Sequence, residues 1–577
     1  MTISGADIII QFLETAGVRI VAGVPGGALL PLYEALGRSS QIRHILARHE
    51  QAAGFIAQGM ARVSGRAGVC LATSGPGVTN MVTALADAKL DSVPLVCIAG
   101  QVPTALIGTD AFQEVATTEM VRPITKACYF INSAAELPDI LAEAFRVAVS
   151  GRPGPVLIDV PKDVQLQRLS RWPASVEADL NTPLRYEHHL RRARDNRLAY
   201  ARAAEMIRTA SRPLFYLGGG VVKARAQEAA RGLVEMTGIP ATTSLMGLGI
   251  LPRQHALNIG MLGMHGARYT NQAIEMADLL ITIGARFDDR ATGNVASFAP
   301  GARIIHIDVD ERELGKIKLP ALAIHDNAAS ALIELQERLR PAVGKPDAWE
   351  VWRARIRDLR RNYPLITPGR EVLCSPYGIM QALGRYIPED AIITTDVGQH
   401  QMWAAQSLPI HRAERWLTSG GLGTMGFGLP AAIGAALVCP DSPVFCITGD
   451  GSLLMNIQEF ATLVELDADV KIILLDNSGL GLVRQQQELF YQKRFVASRF
   501  AHRTDFVDIA RAFGLRAHNL SSCNDARLLE QVLQSRGPSL VRVPIDEKHH
   551  VLPMVPSGGK NIEPLDHVLT TLEEAIV

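Results

Sequence analysis

An excess of charge of one sign is missing from this chain: 58 Lys and Arg balance 58 Asp and Glu over 577 residues. The balance excludes both the basic stripe of a nucleic-acid binder and an acidic solvating tail. Cysteine is sparse, with residues at 70, 97, 128, 374, 439, 446 and 523 and no CxxC pair. An odd, scattered set excludes a disulfide framework and points to a reducing compartment. The N-terminus, MTISGADIIIQFLETAG, lacks a basic region, a cleavage site and any Arg/Ser-rich transit character, so a prokaryotic cytoplasm is expected. Only Leu417 to Pro440 is long and uncharged enough to suggest a membrane span. Its glycines and Pro430 break it, and it reads as a loop followed by a short helix.

What the sequence does have is three α/β blocks, about as many domains as its length suggests. Short apolar runs alternate with amphipathic helical stretches, which predicts three consecutive domains, each a mainly parallel sheet flanked by helices. The first, 1–165, carries the strand candidates IRHILA, AGVCLAT, VPLVCIAG and GPVLIDV. It opens on a helix with Ser4 as its cap and Ile8, Ile9, Phe12 and Leu13 on one face. The second, 195–340, carries PLFYLGGG, DLLITIGARF and ARIIHIDVD; the third, 372–550, carries AIITTDVG, VFCITGDG, VKIILLDN and SLVRVPI. Connectors are expected at 171–197 and 341–372, and 551–577 reads as a mobile C-terminal tail.

The sharpest chemical signal is Gly449-Asp450-Gly451-Ser452 at the end of the strand VFCIT, with Asp476-Asn477 ending the next strand. A carboxylate and an amide at adjacent strand ends can converge on one hard cation, and Mg²⁺ takes oxygen ligands while keeping a bound phosphate in its shell. Glycines on both sides of Asp450 allow a diphosphate close to the backbone, and the next helix offers its positive end. Asp450, Asn477 and the Gly479 carbonyl are the expected metal ligands. Gly421-Leu422-Gly423-Thr424-Met425-Gly426 also fits GxGxxG, but no acid stands where a ribose would need one. This loop reads as a tight cofactor cradle.

GDG followed by an asparagine 27 residues on resembles the thiamine-diphosphate fingerprint, with Asp476 where the first of two asparagines usually stands. The segments VPGGALLPLY, RHEQAAGFIAQGMAR, TSGPGVTN, GTDAFQE, SGRPGPVLIDVPKD, GMLGMHG, GARFDDR, TDVGQHQMWAAQ and SGGLGTMGFGLPAAIGAAL follow in order across all three blocks. They resemble acetohydroxyacid (acetolactate) synthase large subunits. The resemblance implies a pyrimidine-binding, a central FAD-binding and a diphosphate-binding domain. It also implies a site shared between two subunits, hence at least a homodimer, with a small regulatory subunit as a further partner. The reaction it implies is decarboxylation of pyruvate and transfer of a hydroxyethyl group to a second pyruvate or to 2-ketobutyrate, with thiamine diphosphate, Mg²⁺ and FAD.

Residue roles follow from the same resemblance. Glu50 is the partner of N1′ of the aminopyrimidine, and a carboxylate there suits proton sharing. Gly398, Gln399, His400, Gly423, Gly449, Gly451 and Ser452 hold the diphosphate, and Met425 supports the cofactor from beneath. Gly27, Phe112, Gln113 and Lys126 line the reaction pocket, although Ala127 replaces a His common after that lysine. For FAD the matching positions are Arg152, Gly219, Gly220, Leu245, Met246 and the run Leu262, Gly263, Met264, His265, Gly266. Gly284, Arg286, Asp288, Arg290, Asp308 and Asp326 complete the set. Gln486 replaces a tryptophan that favours 2-ketobutyrate in many relatives, so a weak acceptor preference is expected. The rival readings are a pyruvate oxidase, which uses FAD as an electron acceptor, and a glyoxylate carboligase, which typically lacks the glutamate. A non-catalytic flavoprotein is the third rival, against which Glu50, Asp450 and Asn477 stand together.

Overall fold

The computed structural model describes residues 2–170, 196–340, 349–520 and 525–566. The connector 171–195 therefore lies outside the described residues, as do Cys523 and the last eleven residues. None of the six described cysteines forms a disulfide. No helix among the described residues is long and apolar enough to cross a membrane; the uncharged stretch resolves into a loop and the helix Gly428–Val438.

Three six-stranded sheets, parallel throughout, form the framework. In the first, the strands lie in the order Arg43–Leu46, Ile20–Gly23, Gly68–Ala72, Leu95–Gln101, Pro155–Pro161, Ala127–Phe130. In the third the order is Trp416–Leu417, Ile392–Thr395, Val444–Gly449, Val470–Asp476, Ser539–Pro544, Arg516–Asn519. Numbered along the chain, both read 2-1-3-4-6-5, so one topology occurs twice. The middle sheet runs Asn258–Met261, Ala241–Thr243, Pro213–Leu217, Leu279–Ile283, Arg303–Asp308, Leu322–His325. Its order, 3-2-1-4-5-6, is that of doubly wound nucleotide-binding sheets, with the switch point between Pro213–Leu217 and Leu279–Ile283.

Local sequence explains the elements. Ser4 caps Gly5–Thr15 by accepting from the Asp7 amide, and Ile8, Ile9, Phe12 and Leu13 are all buried. The central strands are apolar without alternation because helices cover both faces. Between the first and third domains the helices Glu50–Ser64 and Gly428–Val438 cross closely. A Cβ on Gly59 would stand 2.2 Å from the Ala431 carbonyl oxygen, and one on Gly434 2.0 Å from that of Ile56. Only glycine permits this approach. Phe55 meets Phe427 at 5.4 Å beside the crossing, within one buried cluster that spans both domains.

The described part of the second connector holds a helix, Glu350–Asn362, that buries Trp352, Ile356 and Leu359, and the Trp352 indole donates to the Pro213 carbonyl at 3.0 Å. One expectation needs correction: the tail, as far as residue 566, is packed and not mobile. Val551, Met554 and Val555 are buried, the Val555 amide donates to Met264 O, and Asn561 donates to Ala291 O, each at 2.8 Å. Apolar residues spaced among prolines gave no period in sequence, yet they find a complementary wall on the central domain.

Candidate active site

The third sheet positions the cradle. Asp450 follows Val444–Gly449 directly, and its two carboxylate oxygens accept from the Gly451 and Gly479 amides, each at 2.9 Å. Burial, and then the facing carboxylate of Asp476, push the Asp450 pKa well above the usual carboxylate range. A cation at this turn would remove that penalty. The Asn477 amide nitrogen donates to Gln399 Oε1 at 3.0 Å, and Gln399 in turn donates to Gln485 and to the His549 carbonyl, each at 2.9 Å. That bonding uses the Asn477 amide nitrogen and leaves its carbonyl oxygen available to a cation. His400 lies against Gly398 and Gly449: a Cβ on Gly449 would stand 2.7 Å from its Nδ1. Its Nε2 is buried without a partner, and burial lowers its pKa to about 3, so the ring is neutral. Ser452 donates to Val397 O at 2.8 Å, and a Cβ on Gly451 would approach Met425 Cε to 3.5 Å. Gly398, Gln399, His400, Met425, Gly449, Asp450, Gly451, Ser452, Asn477 and Gly479 are thus brought together.

Asp476, the departure from the fingerprint, has a local explanation. Arg542, on the neighbouring strand Ser539–Pro544, donates from Nε to its carboxylate at 2.6 Å. An arginine there requires the acid, whatever the adjacent cradle holds.

On the first sheet, Gly27, Glu50 and Gln113 all follow C-terminal strand ends. Glu50 opens its helix after the cap His49 and accepts from Asn80 at 2.9 Å. The turn Gly75–Gly77 lies between them: a Cβ on Gly77 would stand 3.4 Å from Glu50, and one on Gly75 2.8 Å from Gln113. Gln113 itself holds φ +62°, and Phe112 is 88% exposed. Lys126 does not join them. It precedes the strand Ala127–Phe130 at the opposite end of the sheet, where its ammonium closes the helix Leu137–Val149 by donating to the Val147 and Ser150 carbonyls. Parallel strands put every C-terminal end on one edge, so a residue at a strand's start cannot reach it. The lysine on that edge is Lys162, directly after Pro155–Pro161.

Between the three domains lies a cavity of about 3340 Å³. Arg152, Gly219, Gly220, Leu245, Met246, Leu262, Met264 and His265 line it, as do Gly284, Arg286, Asp288, Arg290 and Asp308. Gly423 and the exposed Gln486 line its far side. Gly263 and Gly266 shape the wall: a Cβ on Gly263, at φ +96°, would stand 2.3 Å from Arg290 O, and one on Gly266 2.6 Å from Met261 O. Gly220 and Gly284 interlock at the switch point, their Cβ positions 2.6 and 2.7 Å from one another's Cα. Asp326 is set back, accepting from Tyr200 at 2.7 Å.

Residues 3–120, 200–335 and 396–543 match, in order, the N-terminal TPP binding, central, and C-terminal TPP binding domains of the thiamine pyrophosphate enzymes. Over 566 residues the chain is 52% identical to the acetolactate synthase isozyme 1 large subunit of Escherichia coli strain K12, covering 97% of each. The chain belongs to the acetolactate synthase large-subunit family. Identity to the isozyme 2 large subunit of the same organism is 44%, over 98% of this chain and 99% of that one. The chloroplastic acetolactate synthase 2 of Nicotiana tabacum is 44% identical, over 96% of this chain and 84% of that protein.

One feature of this family member had no legible sign in the sequence, because its parts lie some 330 residues apart. Asp91, on the first domain, accepts from the amides of Gly420 and Gly421 at 3.1 and 2.7 Å and from Arg62 at 2.8 Å. Asp87 accepts from Arg62 at 3.3 Å, from Thr424 at 3.0 Å and from Ser419. This buried clamp holds the loop that carries Gly423 and Met425. On the loop's other side, a Cβ on Gly420 would stand 2.4 Å from Met246 Sδ in the cavity wall. Asp396 steadies the loop's end by accepting from the Gly426 amide at 2.7 Å.

Proposed function

We propose that this chain is the catalytic subunit of an acetolactate synthase. It decarboxylates pyruvate and joins the hydroxyethyl group to a second 2-ketoacid, giving 2-acetolactate or 2-aceto-2-hydroxybutyrate at the first common step of branched-chain amino-acid synthesis. The reading rests above all on the repeated 2-1-3-4-6-5 sheet, which sets Glu50 on the C-terminal edge of one copy and Asp450 with Asn477 on the same edge of the other. Thiamine diphosphate, when bound, supplies the nucleophile and the electron sink that let CO₂ leave.

The residues fit these groups. Asp450, Asn477 and the Gly479 carbonyl form an oxygen set suited to Mg²⁺ and short of a full cage, which a diphosphate would complete. The unpartnered His400 Nε2 and the bare backbone at Gly449 and Gly451 offer room and a polar edge beside that diphosphate. Glu50 would hold a proton at N1′ of the aminopyrimidine. Its recorded hydrogen bond is to Asn80 of its own domain. Leu30, Leu106, Ile107 and Phe112 of the first domain are exposed, as are Leu454, Met455, Tyr491 and Val496 of the third. Such apolar surface suits cover by a second copy, whose Glu50 would face this chain's cradle. A small regulatory chain is a further partner of a large subunit.

FAD is the proposed occupant of the large cavity, on the strength of the nucleotide-binding strand order and the interlocked glycines at its switch point. Through Met246 and Gly420 it would brace the cradle loop, a structural use that suits a reaction without net redox change. The test is to incubate the protein with pyruvate, thiamine diphosphate, Mg²⁺ and FAD. Acetoin from acidified acetolactate is measured beside oxygen or dye reduction. Dye reduction without acetoin would instead support a pyruvate oxidase.

A further inference from the structure

A second pocket, of about 250 Å³, lies behind the cavity wall, between the middle sheet, residues 360–365 and the helix Gln399–Ser407 with the turn after it. Arg253 and Arg360 line it, and no Asp or Glu among the described residues does. Arg360 donates to the Asn258 carbonyl at 3.2 Å and to the Tyr269 hydroxyl at 3.3 Å, neither of which carries a charge. The Arg253 guanidinium makes no hydrogen bond or ion pair among the described residues. Burial lowers its pKa, and the charge on Arg360 lowers it further. Among the described residues no carboxylate acts on it.

Two guanidinium groups that share one recess without a counter-charge repel each other, and an anion between them relieves that repulsion. Both arginines stay open to solvent, which gives an anion a way in. The rest of the lining limits what that anion is: Leu251, Leu365, Leu408 and Ile410 form an apolar wall. We propose that the pocket binds a short aliphatic carboxylate, its charge between Arg253 and Arg360 and its hydrocarbon end against those four side chains. Arginine forks match a carboxylate in two-point geometry, while the apolar wall would leave a bare inorganic anion half unsolvated. Gly249, Met261 and His265 line both this pocket and the large cavity, so its occupant touches the cavity wall from behind.

Isovalerate, which has no keto group to react, is the probe. Calorimetric titration into the holoenzyme is expected to show one site per chain that Arg253→Gln and Arg360→Gln each weaken at least about tenfold. Inorganic phosphate is expected to bind at least about tenfold more weakly than isovalerate, because it has no use for the apolar wall. Arg253→Gln should leave far-UV circular dichroism and acetolactate formation unchanged, since Arg253 holds no described residue by a hydrogen bond or ion pair. Isovalerate binding that persists undiminished in Arg253→Gln places the ligand elsewhere and overturns the assignment. Phosphate binding as tight as isovalerate overturns the aliphatic class.

Discussion

Removal of the Asp91 carboxylate should loosen the cradle loop by an amount the clamp geometry sets. Both partners are nearly inaccessible, with the side chains of Arg62 and Asp91 4% and 1% exposed. Breaking a buried pair from one side costs about 3–5 kcal/mol. Arg62 keeps three partners, Asp87 at 3.3 Å and the Thr418 carbonyl and Gln58 side chain at 3.1 Å each, so Asp91→Ala belongs near the lower end, about 3 kcal/mol. At about 1.4 kcal/mol per factor of ten, amide protection of Gly420 and Gly421 should fall about 150-fold. Asp91→Asn keeps a neutral acceptor and loses about 1.5 kcal/mol, or roughly tenfold. Hydrogen exchange read by mass spectrometry over residues 418–426 measures this, with 216–221 as an internal control that should not change. The concentration of thiamine diphosphate giving half-maximal activity should rise in the same order. Unchanged protection of the loop in Asp91→Ala would refute the clamp.

Glu50→Gln should retain thiamine diphosphate and lower turnover by at least about a hundredfold, the scale of lost acid–base catalysis; wild-type turnover sinks the role. Gln486→Trp should raise the preference for 2-ketobutyrate over pyruvate by a factor matching about 1–3 kcal/mol, one methylene packed in an apolar pocket. Competition at equal ketoacid concentrations reads it, and an unchanged product ratio removes Gln486 from the acceptor pocket. Asp159 is buried, and burial raises its pKa to about 7 against hydrogen bonds from Gln101 and Thr117. A raised folded pKa means that its contribution is fully present below the unfolded value, about 3.9, and is lost as pH rises through about 7. Asp159→Asn should therefore flatten the fall in urea midpoint between those limits, and an unaltered pH slope counts against a proton held there.

The sequence alone determined the fold class, the family and the cradle. Chemistry and backbone in the cradle lie within a few residues of each other: Gly449 to Ser452 and Asp476 to Gly479 follow central strands whose apolar runs are long enough to read. The strands missed in sequence, among them Ile20–Gly23, Ala241–Thr243 and Trp416–Leu417, are short and stand at a sheet edge or one place in, where few apolar residues are needed. Only the tertiary structure decided matters that depend on where distant segments meet. Lys126 and Lys162 look equivalent along the chain, and strand direction alone separates them. Asp476 looked like a spare carboxylate until Arg542 paired with it across 66 residues. The clamp at Asp87 and Asp91 joins residues some 330 positions apart, and the recess holding Arg253 and Arg360 forms only once three segments pack. Local pattern encodes elements and turns, whereas a buried charge acquires its role from its neighbours in space.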